Sequence, residues 1–212
     1  VANGDILTDL DVAKLVSFHH SVKAEGTIHL TPVADPSQYG VVETDSNGKV
    51  IRFVEKPKAG ETVSRHVNGG TYIFETSALE RMPGTAPLSI ERETFPEMVR
   101  DGVLYALATD DYWIDAGRPD TYIRSNIELL SRKSIYKVTP IDAGAKVDPT
   151  AVITQSAIGA NCVVGENVQI VRSVLMNGAI VDANAVVIDS AVMGHVGAFA
   201  QVTSCLVGAQ GE

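Results

Sequence analysis

The sequence predicts an α/β domain followed by a parallel β-helix, and two observations support this prediction. Over residues 1–135, short aliphatic segments alternate with amphipathic ones, as in strands interleaved with helices. Over residues 140–212, the chain becomes rich in Val, Ala, Gly and Asn. A pattern that begins with serine then recurs every 17 residues, at Ser156, Ser173 and Ser190. We therefore predict two domains with these bounds.

The first expected elements are a strand and a helix. The chain opens on residues typical of a buried strand already in progress, and the Asn3-Gly4-Asp5 segment is expected to end that strand. Thr8 or Asp9 is the expected cap of the helix. The apolar residues of this helix recur at i, i+3 and i+4, namely Val12, Leu15 and Val16. Because the chain opens within a strand and stops within a repeat, we expect both of its ends to be truncated.

Four further strands are expected in the first domain, at residues 27–33, 39–43, 50–54 and 69–74. The second and third of these are joined by Asn47-Gly48, a strong hairpin signal because both residue types tolerate positive φ. The last is expected to be entered through its pair of glycines.

Three helices are expected after these strands. Ser77 with Glu80 forms a capping-box pattern for a short helix. Ser89 is the expected cap of the next helix, and two glutamates in its first turn favour the helix dipole. Pro119 suits the first turn of the last helix. The apolar face of that helix consists of Ile123, Ile127 and Leu130.

The second domain shows aliphatic residues at steps near six, at Ile158, Val164, Ile170, Leu175, Val181, Val187 and Met193. Such a period, with small residues between the steps, is typical of coils of three short strands around a triangular core. The competing interpretation is a β-sandwich, for which strict alternation with turns every 8–12 residues is expected.

Charge, cysteines and histidines narrow the function classes. The formal net charge of −9 argues against nucleic acid or an anionic membrane as the main partner. Cys162 and Cys205 lack metal-ligand spacing, so we expect both in the core of a reduced, cytoplasmic protein. The pair His19-His20 is expected on an exposed helix face, and no histidine is assigned a role.

The candidate chemical residues follow predicted strands of the first domain. Asp5 and Asp115 each lie near a glycine at a strand end, and two such carboxylates suit Mg²⁺ shared with phosphate oxygens. Lys56 can neutralise a phosphate, and Glu55 can accept hydrogen bonds from hydroxyl groups. The segment 68–70, Asn-Gly-Gly, offers an amide side chain and accessible backbone.

Each of these signals is weak alone, but together and in order they resemble the sugar-nucleotide pyrophosphorylase family. The resemblance covers Val1 to about Leu130 and rests on segments 3–5, 39–42, 55–57, 68–72 and 113–117. Segments 89–96 and 117–122 are most similar to its mannose-1-phosphate guanylyltransferase branch. The resemblance implies a partial Rossmann-like nucleotidyltransferase domain followed by a left-handed parallel β-helix of hexapeptide repeats.

The resemblance also implies the roles of individual residues. Asp5, Lys56 and Asp115 would be catalytic, with Asp5 and Asp115 holding Mg²⁺ and Lys56 gripping the sugar phosphate. The implied substrate-binding residues are Asn3, Gly4, Gly40, Glu55, Asn68, Gly70, Thr71 and Gly117. The family usually has Asn-Ala-Gly where this chain has Asn-Gly-Gly at 68–70, a small departure.

A larger departure concerns the nucleotide. The family's glycine-rich nucleotide signature, with its catalytic Arg, does not occur in this chain. We expect it before Val1, within on the order of 100 missing residues, which is about one nucleotide-binding half of such a sheet. The polypeptide as given is therefore predicted to be inactive alone.

The implied reaction converts a sugar 1-phosphate and an NTP into an NDP-sugar and pyrophosphate, with mannose and GTP favoured by the branch resemblance. Glucose 1-phosphate with dTTP, UTP or ATP stays open, as does a non-catalytic regulatory subunit. An acyltransferase is a further alternative, since β-helices often carry that activity and His195 is the histidine in the coils. The expected partners are the two substrates and further copies of the chain through the β-helix, without nucleic acid or membrane.

Overall fold

The computed structural model divides into two compact units, Val1–Ile114 and Asp115–Glu212. It describes residues 1–58, 60–62, 64–82, 84, 88–131 and 138–209. The predicted change between residues 135 and 140 falls partly outside the described residues, and that boundary stays a prediction. Of the helices in the described ranges, none combines the length and the apolarity that crossing a membrane requires.

The first part of the chain is a mixed sheet with helices packed on it. Its elements are β1 (Ile6–Thr8), α1 (Val12–Val22), β2 (Gly26–Pro32), β3 (Gly40–Thr44), β4 (Val50–Glu55), β5 (His66–Phe74), a 3₁₀ helix (Thr76–Arg81), a π-helical segment (Ile90–Thr94), α2 (Phe95–Asp101), β6 (Leu104–Ala108) and β7 (Trp113–Asp115). Five strands form one sheet in the order β4-β3-β5-β2-β6. The β2–β6 pair is parallel, and the other pairs are antiparallel. β1 pairs with β7 in a separate two-stranded sheet.

The core of this sheet is centred on Phe95, the first residue of α2. The Phe95 ring is fully buried and lies 5.3 to 6.3 Å from the rings of Phe53, Tyr72 and Phe74. Burying one such side chain contributes about 1.5–3 kcal/mol. Aromatic residues from β4, β5 and α2 therefore fix the helix against the strands that carry the candidate site.

The opening of the chain differs from the prediction. Val1 is 73% exposed, and the first strand starts only at Ile6. Asn3-Gly4-Asp5 therefore precedes a strand and does not end one. Ala2 instead forms an isolated antiparallel bridge with Thr71 of β5, so backbone pairing places this segment beside the middle of the sheet.

The first helix is capped two or three residues later than the predicted Thr8 or Asp9. Asp11 is the cap, and its carboxylate accepts hydrogen bonds from the backbone N–H groups of Ala13 and Lys14 at 3.0 and 3.3 Å. Thr8 belongs to β1, where its hydroxyl accepts a hydrogen bond from the N–H of Leu10. The prediction of Thr8 or Asp9 as the cap was wrong because the chain pairs as a strand before it can turn.

The buried face of α1 includes a histidine. Leu15 and His19, one helical turn apart, are 0% and 1% exposed. The expectation that His19 and His20 share an exposed face was wrong, since only His20 is exposed. Val12, which belongs to the apolar pattern of this helix, is 53% exposed at the helix start.

The predicted hairpin between β3 and β4 is confirmed, with one difference. Gly48 alone of the Asn47-Gly48 pair adopts positive φ, at +79°. The Asp45 carboxylate shapes the turn by accepting hydrogen bonds from the N–H groups of Asn47 and Lys49. An acidic side chain therefore supplies the turn geometry that the Asn was expected to provide.

Of the three helix starts predicted after these strands, two were right. Ser89 caps the π-helical segment by accepting a hydrogen bond from Arg92 N–H, and the last helix begins at Pro119. Ser77 caps nothing, because it lies inside the 3₁₀ helix, whose cap position makes no side-chain hydrogen bond.

The second part of the chain is a parallel β-solenoid preceded by one helix. Its elements are α3 (Pro119–Ser131), β8 (Lys146–Val147), β9 (Val152–Thr154), β10 (Ala157–Ile158), β11 (Val163–Val164), β12 (Gln169–Val171), β13 (Val174–Leu175), β14 (Ile180–Val181), β15 (Val186–Ile188), β16 (Ala191–Val192), β17 (His195–Val196), β18 (Gln201–Thr203) and β19 (Leu206–Val207). They form three parallel sheets of four strands each. The predicted solenoid is confirmed and the sandwich is wrong, while a left-handed twist stays a prediction.

A ladder of hydrogen bonds between buried serines connects successive coils at the 17-residue interval. The Ser156 hydroxyl oxygen accepts a hydrogen bond from Ser173 N–H at 3.0 Å, and the Ser173 oxygen accepts one from Ser190 N–H at 3.1 Å. The Ser190 oxygen continues the series by accepting from Cys205 N–H. All three serines are at most 2% exposed. The recurrence seen in the sequence therefore marks one corner of successive coils.

The last complete coil is shorter than the others. Ala157 pairs with Val174 and Val174 with Ala191, but Ala191 pairs with Leu206, 15 residues on. Met193, predicted to point inward, is 41% exposed, whereas Val192 is fully buried. Val192 is the register partner of Leu175, 17 residues earlier, so the inward step at this corner is five residues and not six.

The two cysteines differ in their surroundings. Cys162 is buried in the solenoid core, as predicted, whereas Cys205 is exposed. The prediction of a core position for Cys205 was wrong because that residue follows a corner of the outermost described coil.

Candidate active site

The site is built around a bulge in the middle of β5. The register between β5 and β2 shifts where Asn68, Gly69 and Gly70 occur, so the predicted glycine pair lies inside the strand and not at its start. Gly70 adopts a φ of +70°, which favours glycine. The Asn68 side-chain oxygen accepts a hydrogen bond from Gly70 N–H at 3.0 Å, and its NH₂ group donates one to the Tyr72 hydroxyl at 2.9 Å. Asn68 therefore fixes the bulge with its own side chain.

Polar groups from four parts of the chain act on the Tyr72 hydroxyl. Burial chiefly raises the pKa of Tyr72 to about 12, and the negative charges of Glu91 and Glu55 act in the same direction. Hydrogen bonds from Asn68 and Asn3 oppose this rise in pKa. Tyr72 is 1% exposed. The hydroxyl therefore stays protonated and is the buried centre of the cluster.

Asn3 joins this cluster through the backbone. Its N–H donates a hydrogen bond to the carbonyl oxygen of Gly70 at 2.8 Å. A Cβ at Gly70 would lie 3.1 Å from the Asn3 side-chain nitrogen and 2.8 Å from Ile6. The glycine is required both for its φ and for this close approach. Of the predicted substrate-binding residues, Asn3, Asn68 and Gly70 lie together, and Thr71 follows them in β5.

Glu55 and Gly40 face each other at the end of the β3–β4 hairpin. They are register partners, and a Cβ at Gly40 would lie 2.9 Å from a Glu55 carboxylate oxygen. Burial chiefly raises the pKa of Glu55, and the charge of Glu91 adds to the rise, whereas Lys56 and Arg92 oppose it. Because Glu91 affects both Glu55 and Tyr72, the hairpin end and the bulge belong to one site.

Lys56 follows the hairpin in a left-handed conformation, with a φ of +49°. Its N–H donates a hydrogen bond to the Tyr39 carbonyl oxygen at 3.1 Å, and its side chain is exposed. The Tyr39 ring packs edge-on against Trp113 at 5.5 Å, and the Trp113 indole N–H donates to the Gly69 carbonyl oxygen at 2.9 Å. Two aromatic residues thus connect the lysine loop to the bulge.

The predicted metal ligands lie in different compact units, Asp5 in the first and Asp115 in the second. Asp5 is exposed in the turn before β1, next to Gly4, around which no atom would meet a Cβ within 4 Å. An Asp115 carboxylate oxygen accepts a hydrogen bond from Gly117 N–H at 2.8 Å, which orients the carboxylate. Their pairing at one cation stays a prediction.

Sequence reasoning missed three members of the cluster: Tyr72, Glu91 and Trp113. Tyr72 and Trp113 occur within the recognised segments, but nothing in the pattern shows that their polar atoms bind the bulge. Glu91 was assigned to the helix dipole. The signal that could have found Tyr72 is its spacing from Asn68, because the bulge brings residues i and i+4 of β5 into contact.

A groove of about 950 Å³ in the second unit is a poorer candidate for an anion site. Its three arginines are each paired with a carboxylate among the described residues, namely Arg118 with Asp120, Arg124 with Glu128 and Arg172 with Asp189. The cluster in the first unit instead combines hydroxyl-binding groups with the nearby Lys56. Such an arrangement can bind a polyhydroxylated ligand that carries a phosphate.

Known proteins share this sequence in two parts. The nucleotidyl transferase family model matches residues 1–132, and the GMPPB C-terminal domain model matches residues 135–211. The first match covers the five-stranded sheet and α3, and the second covers the solenoid.

Similar curated proteins include three that are named for one activity. A mannose-1-phosphate guanylyltransferase catalytic subunit beta from Drosophila melanogaster is 39% identical over 159 residues, 72% of this chain and 42% of that protein. A mannose-1-phosphate guanylyltransferase from Mycobacterium tuberculosis is 32% identical over 197 residues, covering 88% and 54%. A probable mannose-1-phosphate guanylyltransferase 1 from Oryza sativa subsp. japonica is 35% identical over 223 residues, covering 98% and 61%.

The chain thus spans about half the length of these relatives, from 42 to 61%. The family assignment rests on the match over residues 1–132, which is more than half of the 212 residues. The matched range contains the bulge, the hairpin end and Lys56. The chain therefore belongs to the nucleotidyl transferase family.

Proposed function

We propose that the full-length protein makes GDP-mannose and pyrophosphate from mannose 1-phosphate and GTP, and that this chain supplies the sugar-phosphate site. The supporting observation is the convergence of Asn3, Asn68 and Gly70 at the β5 bulge, beside Glu55. The relatives named for guanylyl transfer to mannose 1-phosphate support the choice of substrates.

In the proposed reaction, a phosphate oxygen of mannose 1-phosphate attacks the α-phosphorus of GTP in line. A bond forms between that oxygen and the α-phosphorus, and the bond from the α-phosphorus to the bridging oxygen of pyrophosphate breaks. The attacking group is already an anion, so no protein nucleophile is needed. Catalysis then consists mainly of positioning and of charge neutralisation.

Lys56 has the role of bringing the sugar phosphate to the nucleotide. Two anions repel each other, and a nearby ammonium group lowers that cost. The left-handed backbone conformation of Lys56 and its hydrogen bond to Tyr39 fix the position of the backbone from which the side chain extends. Lys56 therefore contributes to substrate binding more than to the chemical step.

The sugar hydroxyls are the proposed ligands of the bulge and the hairpin end. Glu55 accepts hydrogen bonds from hydroxyl groups in its ionised form, and the glycine at position 40 leaves room for the Glu55 carboxylate, which would lie 2.9 Å from a Cβ there. Asn68 cannot rotate freely, because both ends of its amide are hydrogen-bonded. The site is thus preorganised, which reduces the entropy cost of binding.

Asp5 and Asp115 fit a magnesium ion by their chemistry, since carboxylate oxygens are the ligands that Mg²⁺ prefers. One oxygen of Asp115 is held by Gly117 N–H, which leaves the carboxylate oriented for a ligand. When bound, the cation would offset negative charge on the phosphate oxygens. Asp5 would be expected to hold it from the turn before β1.

Location and assembly are further parts of the proposal. Both cysteines are free thiols, which supports a reducing compartment such as the cytoplasm. The edge strand β8, which pairs on one side only among the described residues, supports self-association, because unpaired edges accept further strands.

One observation favours a second activity. The His195 ring lies 2.7 Å from an Asp182 carboxylate oxygen on the solenoid surface. Such a pair can hold a histidine as a general base for acyl transfer. Both side chains are largely exposed, at 58 and 43%, and an enclosed acyl-carrier site would bury them more. Binding of acetyl-CoA to the full-length protein, lost in His195→Ala, would support this alternative.

The main proposal is tested by pyrophosphate release from the full-length protein with Mg²⁺ and GTP, UTP, dTTP or ATP, each paired with mannose or glucose 1-phosphate. The expected result is the highest kcat/KM with GTP and mannose 1-phosphate. Turnover only with glucose 1-phosphate would contradict the choice of substrates. Absence of turnover with every pair would favour a regulatory subunit.

Two variants test the assigned roles. Lys56→Ala is expected to raise the KM for sugar phosphate at least tenfold, whereas Lys58→Ala, two residues on and also exposed, should leave it unchanged. Asp115→Ala is expected to lower kcat. A wild-type kcat in Asp115→Ala would rule out its assignment to the metal.

A further inference from the structure

A cluster of two histidines and one carboxylate lies outside the candidate active site. His19 and His20 belong to the last turn of α1, and Glu75 directly follows β5. One ligand atom of each side chain lies within 4.8 Å of those of the other two. His19 Nε2 is 3.2 Å from a Glu75 oxygen. A tetrahedral ion with bonds of about 2.0–2.2 Å separates its ligand atoms by roughly 3.4 Å, so the spacing of this pair suits one.

We propose that these three residues form a binding site for a divalent transition-metal ion of the zinc type. Two imidazole nitrogens and one carboxylate oxygen are ligands that Zn²⁺ accepts, with water in the fourth position. Mg²⁺ prefers oxygen ligands alone, so this site discriminates against it. The site is separate from the acidic residues assigned to Mg²⁺, and it does not depend on the proposed transferase activity.

His19 is already held as a ligand would be. Its side chain is 1% exposed, and its Nδ1 lies 2.8 Å from the hydroxyl oxygen of Thr27, itself fully buried in β2. A histidine that donates its Nδ1–H to such an oxygen presents an unprotonated Nε2 on the other side of the ring. Here that side faces Glu75. The Thr27 hydroxyl can accept a hydrogen bond from Nδ1–H when Nε2 binds an ion, so it can hold the ring in the orientation of a metal ligand.

His20 is available to complete the site. Its ring is exposed and packs edge-on against His19, with centroids 5.5 Å apart. Within the described part of the chain, neither ring nitrogen of His20 makes a hydrogen bond. Metal binding by His20 therefore breaks no existing hydrogen bond of its ring and requires only rotation of a surface side chain.

The location gives the ion a structural consequence. His19 and Glu75 are 56 residues apart in sequence, and the ion would tie the end of α1 to the end of β5. A cation there also lies near the C-terminus of an 11-residue helix, where the helix dipole favours positive charge. Bound Zn²⁺ should therefore stabilise the first unit against unfolding.

The test is calorimetric titration of the 212-residue chain with Zn²⁺ in chelator-free buffer that contains excess Mg²⁺ to occupy the oxygen-only sites. We expect one Zn²⁺ per chain and a higher midpoint of thermal unfolding. His20→Ala and Glu75→Gln should each weaken Zn²⁺ binding by about tenfold or more, and both residues are exposed, so these variants should fold. Thr27→Val, which removes the hydroxyl and keeps the shape, should weaken binding about 10- to 100-fold.

His66→Ala is the matched control, because His66 is an exposed histidine at the other end of β5. It should bind Zn²⁺ as the wild type does. The proposal is overturned if the wild-type chain binds no Zn²⁺ in this titration, or if His20→Ala and Glu75→Gln bind it with unchanged affinity.

Discussion

The imidazole of His29 fills the space into which a side chain at position 69 would project. A Cβ on Gly69 would lie 2.5 Å from His29 Nδ1 and 2.9 Å from the His29 carbonyl oxygen. The ring is fully buried, and its Nε2 is hydrogen-bonded to the Thr109 hydroxyl at 2.8 Å. Burial chiefly lowers the pKa of His29, against the opposing charge of Asp111, so the ring is neutral. Gly69, which stands where the family usually has alanine, therefore leaves the space that the buried His29 ring occupies.

Gly69→Ala is predicted to destabilise the first unit by about 1–3 kcal/mol, because the added methyl group must displace a buried ring and a backbone oxygen. The measurement is urea unfolding followed by the fluorescence of Trp113, the single tryptophan, whose indole binds the Gly69 carbonyl oxygen. Gly4→Ala is the control, since a Cβ there meets no atom within 4 Å. It should change the free energy of unfolding by less than about 0.5 kcal/mol.

His29→Ala should partly rescue Gly69→Ala. Removal of the ring relieves the closer contact and leaves the contact with the backbone oxygen, so the two changes should be coupled by about 1 kcal/mol in a double-mutant cycle. Strictly additive effects of the two substitutions would show that the ring does not exclude the methyl group.

Tyr72 is predicted to make stability fall at alkaline pH. Its pKa is raised from 10 to about 12, so between these values the unfolded chain loses the proton and the folded chain keeps it. The folded state is then disfavoured progressively, and its loss across this window is roughly 2–3 kcal/mol. Below pH 10 both states are protonated, and the full contribution is present. The measurement is the free energy of unfolding of the wild type and of Tyr72→Phe from pH 9 to 12. Over this range the wild type should lose this amount of stability relative to Tyr72→Phe.

The difference between the two proteins isolates Tyr72, because other tyrosines and lysines titrate in both. Tyr105→Phe, a change at a less buried tyrosine in β6, is a suitable control. Parallel curves for wild type and Tyr72→Phe would mean that the hydroxyl is not held in its protonated form.

Glu55 is predicted to make the affinity for sugar phosphate fall at acidic pH. Burial and the charge of Glu91 raise the pKa of Glu55, so its carboxylate ionises at a higher pH than an ordinary glutamate. Affinity for mannose 1-phosphate should therefore increase as pH rises through this pKa, and Glu55→Gln should lack that increase. The ratio of the two dissociation constants, measured from pH 4 to 8, removes the titration of the ligand's own phosphate. A constant ratio would contradict a hydrogen-bonding role for the ionised carboxylate.

How much of the site the sequence could predict depends on the kind of contact. The order of the family-like segments along the chain predicted a site that contains Asn3, Glu55, Asn68 and Gly70. The structure brings Asn3, Asn68 and Gly70 together at the β5 bulge, and Glu55 lies beside it. The pairing of Asp5 with Asp115 stays a prediction, because each lies in a different compact unit. Tyr72 was missed because its part depends on a register shift, which no local pattern records.

The same distinction holds for the fold. The 17-residue interval of the serines predicted the coil, because one repeated hydrogen bond produces it. Met193 was placed inward because the six-residue step was extended across a corner where the step is five residues, which puts Val192, the register partner of Leu175, inward instead. His19 was placed outward because a pair of adjacent histidines suggests a polar face, whereas His19 lies one turn after Leu15 on the buried face of the helix. Local spacing therefore predicted contacts within repeats better than contacts between distant segments.

The serine ladder should be a principal source of order at its corner of the solenoid. The Ser173 hydroxyl donates to the Val171 carbonyl oxygen at 2.8 Å and accepts from Ser190 N–H, and both serines are 0% exposed. Ser173→Ala leaves the buried Ser190 N–H without this acceptor, at a cost of about 1–3 kcal/mol. Hydrogen exchange at the Ser190 amide should accelerate correspondingly, by roughly 5- to 150-fold if exchange proceeds through that opening. Ser204→Ala, at an exposed position of the same corner, should leave exchange at Ser190 unchanged. Equal acceleration by both substitutions would show that the coils are held by their aliphatic core and not by the ladder.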